Sequence, residues 1–492
     1  MQERAGTTVG LGRTAARSGA QTLLGQAGRF VLQLASVVVL ARLLSESDYG
    51  LVGMALAIVG VGHIIKDIGL ASASVQTHSL TRGQRDNLFW INSAAGLSVA
   101  VIAATSAPFI ASFYNRAELT EIVLWLAPSL LLAGMTTQYR ADLTRRLKLG
   151  RVAIAELAST AIGFTAGVLT ALGGWGPVAL VAQQLVGGLA AVIFFCMLSG
   201  WLPALYRRQE NMSHLFGMGL PLFATQIFTY VVNNADAILI GRLFGPVPVG
   251  LYNRGLQLVR VPMNQMRGPL DTLSLSVLAK LHDENDRFLQ FVRRGQLVMI
   301  YPLLAAAGAL IVAAPAVVDV ALGPGWGEAV VYVQLIALGE AMNSLASAGG
   351  WIYMSRGLAS QLLRFTIFSG VVRLVALLVG SSFGPVGVAV GFAAAHLFVW
   401  PVSLWWVGRV SQLATGAMIL AALRAITVCA AGTFATWIVV LLVNGLPSTL
   451  VVLFAAAAQV IGLAILALVP AVRRDYGEIF ETIRMSRGAK SP

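Results

Sequence analysis

Long apolar segments separated by short polar loops run from one end of this chain to the other. A transmembrane helix needs roughly 20 predominantly apolar residues. The pattern predicts about fourteen such helices, which we number spans 1 to 14. The spans lie near residues 19–41, 50–74, 87–113, 121–139, 153–173, 177–200, 215–240, 250–278, 296–318, 328–354, 362–381, 385–407, 417–443 and 449–470. No loop is long enough for a soluble domain, so the predicted fold class is an all-α integral membrane protein.

Polar positions inside span 1 recur in span 7 at a constant offset of 200 residues. Gln26, Arg29, Gln33 and Ser36 correspond to Gln226, Thr229, Asn233 and Asp236, and both sets lead into Arg-Leu and Gly-Leu pairs at 42–43 and 50–51, and at 242–243 and 250–251. Later matches keep nearly this offset, at 107–108 with 314–315 and at 176–178 with 384–386. Spans 1–6 therefore repeat as spans 7–12. Because each half has an even number of spans, the repeat is parallel.

The repeat predicts three parts. They are an N-lobe at 1–203, a C-lobe at 204–410, and a C-terminal part at 411–492 that holds spans 13 and 14 and a cytoplasmic tail. Spans 13 and 14 resemble an appendage to the repeat. Apolar residues at helical spacing in the tail suggest a basic amphipathic helix at the membrane surface.

Charge distribution predicts the orientation of the chain. The net charge is +13, and the loops on one side of the predicted membrane hold only Arg42, Arg116 and Arg242 as basic residues. The positive-inside rule places both termini in the cytoplasm and accounts for the basic balance without nucleic acid. The N-terminus has no apolar core followed by a cleavage site, so no signal peptide is expected.

Span 8 carries a row of polar side chains, which we call its polar face. Steps of three and four residues place them together on the helix: Asn253, Gln257, Arg260, Asn264, Arg267 and Asp271. Facing lipid, such groups are costly. The row therefore indicates water, a counter-charge or a ligand on that side. A polar contact between helices, or an extension of the helix into the cytoplasm, remains an alternative.

Basic groups outnumber acidic groups among the polar residues of these spans, which predicts an electropositive cavity for an anionic substrate. Arginine suits phosphate because its planar guanidinium donates two parallel hydrogen bonds. The predicted substrate-binding residues are Arg29, Gln33, Lys66, Asn233, Arg254, Gln257, Arg260, Asn264 and Arg267. The predicted counter-ions or ion-coupling groups are Asp67, Asp236 and Asp271.

Four further polar residues receive other interpretations. Glu340 and Arg373 read as isolated charges in apolar surroundings, Glu156 as a surface residue and His396 as a satisfied core histidine.

Enzyme signatures are missing from the sequence. It has no GxxxxGK[ST] phosphate loop, no HExxH and no CxxC, and each would mark a specific chemistry. Cys196 and Cys429 both fall in apolar spans, which indicates inert core residues. We predict neither an enzyme nor a bound cofactor or metal. Without a nucleotide-binding domain, an ion gradient or the gradient of the substrate itself would drive any transport.

The segment VLARLLSESDYGLVGMALAIVGVGHIIKDIGL, which ends at Leu70, resembles the first helical hairpin of bacterial polysaccharide and oligosaccharide exporters. The Arg-Leu-Leu turn that leads to Tyr49-Gly50 and the Asp67-x-Gly69-Leu70 end of span 2 carry the resemblance, and FGPVPVGLYNRG (244–255) fits the second lobe. These are Wzx-type flippases, including the colanic-acid-exporter-like branch. Their superfamily also holds multidrug exporters and lipid II flippases.

The resemblance implies a flippase of the bacterial cytoplasmic membrane that works by alternating access. Its substrate would be an undecaprenyl-diphosphate-linked oligosaccharide repeat unit, for exopolysaccharide, capsule or O-antigen synthesis. Expected partners are that lipid-linked oligosaccharide, membrane lipids, and the polymerase and glycosyltransferases of the pathway. The alternatives are a cation-coupled multidrug exporter on the same scaffold and a non-transporting membrane scaffold of a glycan assembly complex. A multi-span glycosyltransferase is a weaker option, because Glu118 and Glu121 form the only close acidic pair on an outer loop.

Overall fold

The computed structural model describes residues 25–65, 74, 80–206, 213–279, 281, 284–443, 445–470 and 472–479. These residues are almost entirely helical, and no strand occurs within these ranges. The predicted all-α fold class is confirmed.

Nine helices precede Gly245 in the described residues. They are α1 Gly25–Leu43, α2 Glu46–Val59, α3 Gly62–Ile65, α4 Arg82–Tyr114, α5 Glu118–Leu126, α6 Pro128–Arg145, α7 Leu149–Leu172, α8 Val178–Ser199 and α9 Ser213–Phe244.

The remaining long helices are α10 Pro246–Leu278, α11 Asn285–Ala321, α12 Ala329–Ser355, α13 Ala359–Ser381, α14 Gly384–Ser411, α15 Gly416–Leu442 and α16 Ser448–Leu466. A short 3₁₀ turn, Pro324–Trp326, joins α11 to α12. Residues 472–479 form a further helix, which we call the tail helix.

Contacts between residues divide the chain into two compact units, Met1–Gly250 and Leu251–Pro492. These units are defined by which residues contact each other, whereas the predicted lobes are defined by the repeat in the sequence. The lobe boundaries at residues 203 and 410 therefore stay a prediction.

Eleven helices of the described chain are long and apolar enough to cross a membrane, with α5 and α6 counted together as Glu118–Arg145. Helices α9 and α10 lie at the predicted spans 7 and 8, and α2 covers the first part of the predicted span 2, whose residues 66–73 lie outside the described residues. Every predicted span thus has a helix at its position. That all fourteen cross the membrane stays a prediction.

Two helix starts in the first unit are capped by neighbouring side chains. Ser45 Oγ accepts from the Asp48 amide at 3.2 Å, while Asp48 Oδ2 accepts from the Ser45 amide at 2.9 Å. Thr81 and Gln84 form the same reciprocal pair at the start of α4. Such capping boxes satisfy backbone donors that the first turn leaves without partners. They define where α2 and α4 begin after their polar loops.

Glycines set the close helix packing of the first unit. A Cβ added at Gly96 of α4 would lie 2.7 Å from the Leu130 carbonyl oxygen, and one at Gly134 of α6 would lie 2.5 Å from that of Asn92. Helices α7 and α8 approach in the same way, through Gly163. Small residues are favoured at helix contacts inside membranes because they let backbones approach.

The two glycines that the repeat matches, Gly50 and Gly250, lie against each other's turn. A Cβ at Gly50 would be 1.8 Å from the Pro246 carbonyl oxygen, and one at Gly250 would be 2.0 Å from that of Glu46. Both contacts lie within the first unit. The Gly-Leu pair recurs in the sequence because each turn requires a residue without a side chain at its point of closest approach.

Helices α15 and α16 pack against α11 in the second unit. The tail helix is anchored there as well, since the buried Asp475 accepts hydrogen bonds from Arg424 of α15 and from the Tyr301 hydroxyl of α11. The Arg293 guanidinium of α11 also pairs with Glu478. The described part of the tail thus packs against α11 and α15, and its expected position at the membrane surface stays a prediction. Spans 13 and 14 belong to the second unit. Asp475 of the tail is therefore the ion-pair partner of Arg424, the one charged residue of span 13.

Candidate functional site

In the first unit, Arg29 of α1 is paired with a carboxylate. Its Nη1 lies 3.0 Å from Glu156 Oε2 of α7, and Arg140 Nη2 of α6 lies 2.8 Å from the other oxygen of the same carboxylate. The Arg29 side chain is 52% exposed and that of Glu156 is 23% exposed. Glu156, interpreted from the sequence as a surface residue, is partly exposed and is shared by two arginines. It links three helices at an open, solvent-accessible position.

The other predicted residues of spans 1 and 2 differ in exposure, and two of them lie outside the described residues. Gln33 is exposed. Ser36, three residues further along α1, accepts a hydrogen bond from the Gln183 amide of α8 at 2.9 Å. Lys66 and Asp67 lie outside the described residues.

Span 7, within α9, presents two predicted residues in different environments. Asn233 is exposed, whereas Asp236 is buried, with a side chain that accepts from the Ala237 amide at 2.9 Å. One turn before, the Tyr230 hydroxyl donates to the Leu56 carbonyl of α2. Asp236 thus belongs to the packed side of α9, while Asn233 is accessible.

The polar face of span 8 lies on α10 and is its more accessible side. Asn264 is exposed, and Asn253, Gln257, Arg260, Arg267 and Asp271 are half-buried, as is Arg254 beside Asn253. Val259 and Met263, which adjoin this row on the helix surface, are buried. This matches the amphipathic helix expected from the spacing of the polar residues. Asp271 has a definite partner, since it accepts from the Trp351 indole of α12 at 2.8 Å.

Arg260 makes the closest charged contact of this face. Its Nε donates to Glu340 Oε1 of α12 at 2.6 Å, and the Asn343 amide lies 3.4 Å from the second oxygen. Glu340 is only 3% exposed, while the Arg260 side chain is 27% exposed. The carboxylate is held inside the second unit, and the guanidinium lies between it and the accessible side of α10.

Two further groups of the second unit lie beside this pair. Arg373 of α13 is buried, with its guanidinium carbon 5.0 Å from the centre of the Phe392 ring. His396 of α14 contacts the same ring, and its Nδ1 lies 2.8 Å from the Phe392 carbonyl oxygen. Arg373, Glu340 and Arg260 are the charged groups close enough to His396 to act on it.

Four helices thus bring together Arg260, Glu340, Arg373 and His396, which we call the charged cluster. Treating Glu340 and Arg373 as isolated charges was wrong, because their partners are far away in the sequence. A signal for both was present, since a charge inside an apolar span is rare and costly without a partner. Residue spacing along the chain does not identify which partner each charge has.

The described side chains contain no group of three or more His, Cys, Asp or Glu residues that could hold a metal ion. Cys429 is buried and Cys196 half-buried, and both are free thiols. Among the predicted substrate-binding residues, Arg29 is exposed and Arg254, Arg260 and Arg267 are half-buried, and their guanidinium groups suit an anion.

Comparison with known proteins identifies the family. The model of the family described as "Polysaccharide biosynthesis protein" matches residues 39–331, more than half of the chain. This chain belongs to that family. Its match includes α2, the α9 and α10 helices, and Arg260 of the charged cluster.

Curated members of the family resemble the chain over most of its length. The lipopolysaccharide biosynthesis protein WzxC of Escherichia coli (strain K12) is 22% identical over 374 residues, which cover 74% of this chain and 75% of that protein. The teichuronic acid biosynthesis protein TuaB of Bacillus subtilis (strain 168) is 25% identical, covering 70% and 72%. The succinoglycan biosynthesis transport protein ExoT of Rhizobium meliloti (strain 1021) is 26% identical, covering 67% and 66%.

Solved structures define the fold. The lipid II flippase MurJ, in an inward closed conformation, matches with a TM-score of 0.73 at 11% identity over 91% of this chain and 98% of that one. An inward-facing multidrug MATE transporter matches with a TM-score of 0.64 at 14% identity, covering 79% and 96%. The predicted resemblance to Wzx-type exporters is confirmed. The chain is a multi-pass membrane protein with the fold of transporters, and its family is one of transport proteins rather than catalytic enzymes.

Proposed function

We propose that this protein moves an undecaprenyl-diphosphate-linked oligosaccharide repeat unit across the bacterial cytoplasmic membrane by alternating access. The observation that carries the proposal is the family match over residues 39–331. The product would serve exopolysaccharide, capsule or O-antigen synthesis, with the polymerase and glycosyltransferases of the pathway as partners. Both termini would lie in the cytoplasm, and the two lobes would follow the repeat at residues 1–203 and 204–410.

The chemistry of the accessible arginines supports a diphosphate. Arg29 and Arg260 both keep part of the guanidinium side chain exposed. Charge-assisted hydrogen bonds from arginine to phosphate are among the stronger polar contacts in proteins. A phosphate oxygen reaching either group would bind a guanidinium that already pairs with a carboxylate, Glu156 for Arg29 and Glu340 for Arg260.

We assign the remaining predicted residues to the same task. Substrate contacts would come from Gln33, Lys66, Asn233, Arg254, Gln257, Asn264 and Arg267, with Asp67, Asp236 and Asp271 as counter-ions or ion-coupling groups. Asp271 fits the counter-ion role less directly, because its carboxylate already accepts from Trp351.

Transport in liposomes tests the proposal. The purified protein should move a fluorescent lipid-diphosphate sugar between leaflets, and Arg29→Ala and Arg260→Ala should each slow this by about tenfold or more, since a hydrogen bond to a charged group contributes about 1.5–3 kcal/mol. Arg287→Ala is the matched control, because Arg287 is 74% exposed and pairs with Glu284 three residues before it. Unchanged transport in both Arg29→Ala and Arg260→Ala would rule out their role in diphosphate binding.

The multidrug exporter alternative draws on the MATE-like fold. Its substrates would be cations, which the arginines of the α10 polar face would repel. The same liposomes loaded with a cationic dye separate the two functions. Dye export without movement of the lipid diphosphate would favour the alternative.

A further inference from the structure

Arg260 already binds an anionic group of the protein itself. Its Nε lies 2.6 Å from Glu340 Oε1. Carboxylate and phosphate oxygens present the same acceptor geometry to a guanidinium. A phosphate that approached Arg260 would therefore meet a donor that the carboxylate occupies.

The two partners of this ion pair differ in their freedom to move. Glu340 is 3% exposed and is also contacted by the Asn343 amide of its own helix. Arg260 is 27% exposed and extends from the accessible face of α10 on a flexible aliphatic stem. Arg260 can consequently turn toward a ligand on the accessible side, whereas Glu340 stays in place.

Other groups remain beside the carboxylate when Arg260 turns away. Asn343 contributes from α12, His396 from α14, and Arg373 from α13 lies next to His396. A buried carboxylate without compensation would be too costly. These neighbours lower the free-energy cost of moving Arg260 away from Glu340. The Arg260–Glu340 ion pair is still the more stable arrangement.

We propose that Glu340 is an internal competitor of the substrate, so that its carboxylate and the diphosphate of the lipid-linked oligosaccharide bind Arg260 in alternation. This inference rests on the proposed function, because it takes the diphosphate as the anion. Glu340 lowers the affinity for the substrate and replaces it at Arg260 on release. A transporter gains from this because a substrate that is bound too tightly does not leave.

Binding measurements test the competition. The full chain is placed in nanodiscs of phosphatidylcholine, which carries no net charge, and titrated with farnesyl diphosphate as the probe. If Arg260 leaves Glu340 about one-tenth of the time, the pair weakens binding about tenfold. Glu340→Gln should then bind the probe more tightly than the wild type, by up to about tenfold, because a neutral amide oxygen holds Arg260 less strongly than a carboxylate does. Arg260→Gln should bind it more weakly, and adding Glu340→Gln to Arg260→Gln should give no gain.

Two further variants complete the design. Glu478→Gln breaks an ion pair with Arg293 elsewhere in the same unit, so its affinity should equal that of the wild type. Glu340→Asp keeps the charge but withdraws the carboxylate by one methylene, and it should tighten binding by less than Glu340→Gln does. If Glu340→Gln cannot be purified, Glu340→Asp replaces it in the test. Tighter probe binding by Glu340→Asp then supports the competition, and unchanged or weaker binding contradicts it.

The outcomes separate this inference from the proposed function. Probe binding that weakens in Arg260→Gln but is unchanged or weaker in the Glu340 variants overturns the competition and leaves the proposed function standing. No probe binding by the wild type or any variant overturns both.

Discussion

The two units each hold a candidate arginine next to a glutamate, yet the two ion pairs are physically different. Arg29 and Glu156 are 52% and 23% exposed, and Arg140 shares the same carboxylate. Arg260 and Glu340 are 27% and 3% exposed, and His396 and Arg373 lie nearby. Exposed pairs contribute little to stability, whereas removing one member of a buried pair is costly. The comparison shows that similar chemistry serves an open surface in one unit and a packed interior in the other.

The repeat explains why the pairs differ. It retains what the turns need, as in Gly50 and Gly250, which fit against each other's turn. It does not retain the charges, since Thr229 stands where the first half has Arg29. Helix packing was kept in both halves while the polar positions diverged.

Removing the buried carboxylate should have the largest effect on stability. Glu340→Ala removes the buried carboxylate that Arg260 contacts, and we expect the free energy of unfolding to fall by about 3 kcal/mol. Glu340→Gln should lose less, because its amide oxygen still accepts from Arg260. Denaturant unfolding in mixed micelles, followed by tryptophan fluorescence, measures both. A loss below about 1 kcal/mol for Glu340→Ala, as for a surface pair, would remove the difference between the units.

Alanine substitutions at the two matched glycines, Gly50 and Gly250, should lower the free energy of unfolding by similar amounts. Gly50→Ala and Gly250→Ala each force a Cβ against a carbonyl oxygen of the other turn, at 1.8 and 2.0 Å before any shift. We expect each to lower the free energy of unfolding by about 1–3 kcal/mol, as overpacked sites do.

Gly268→Ala is the control for these turns, because a Cβ at Gly268 of the same α10 helix meets nothing within 4 Å. It should leave stability unchanged or raise it slightly. Clearly unequal effects at Gly50 and Gly250 would show that the two turns are not equivalent.

The exposed pair should give the smallest effect. Glu156→Ala should change the free energy of unfolding by less than about 1 kcal/mol. That difference should fade in about 1 M NaCl, where the Debye length is about 3 Å. The Glu340→Ala difference should persist in the same salt, because a buried pair is poorly screened. Unfolding curves at low and high salt measure both differences. A loss of stability in Glu156→Ala that is as large in about 1 M NaCl as at low salt would contradict the assignment of the Arg29–Glu156 pair to the surface.

Much of the fold could be predicted because its signals are local. Apolar length and polar loops placed a helix at every predicted span, and the spacing of Arg260, Asn264 and Arg267 identified the accessible face of α10. The polar partners could not be predicted in this way. Glu156 lies 127 residues from Arg29, and Glu340 lies 80 residues from Arg260. Spacing along one helix carries no information about a carboxylate on another.

The amino-acid sequence by itself determined the membrane class, the positions of the helices and the family, and it predicted the repeat, because hydrophobicity and turn chemistry act over a few residues at a time. Only the tertiary structure decided which charges meet. It joined Arg260 to Glu340, set Arg373 and His396 beside them, and anchored the tail helix through Asp475. The physical reason is that a charge in an apolar interior must find its partner through packing, and packing depends on the whole unit rather than on any one segment.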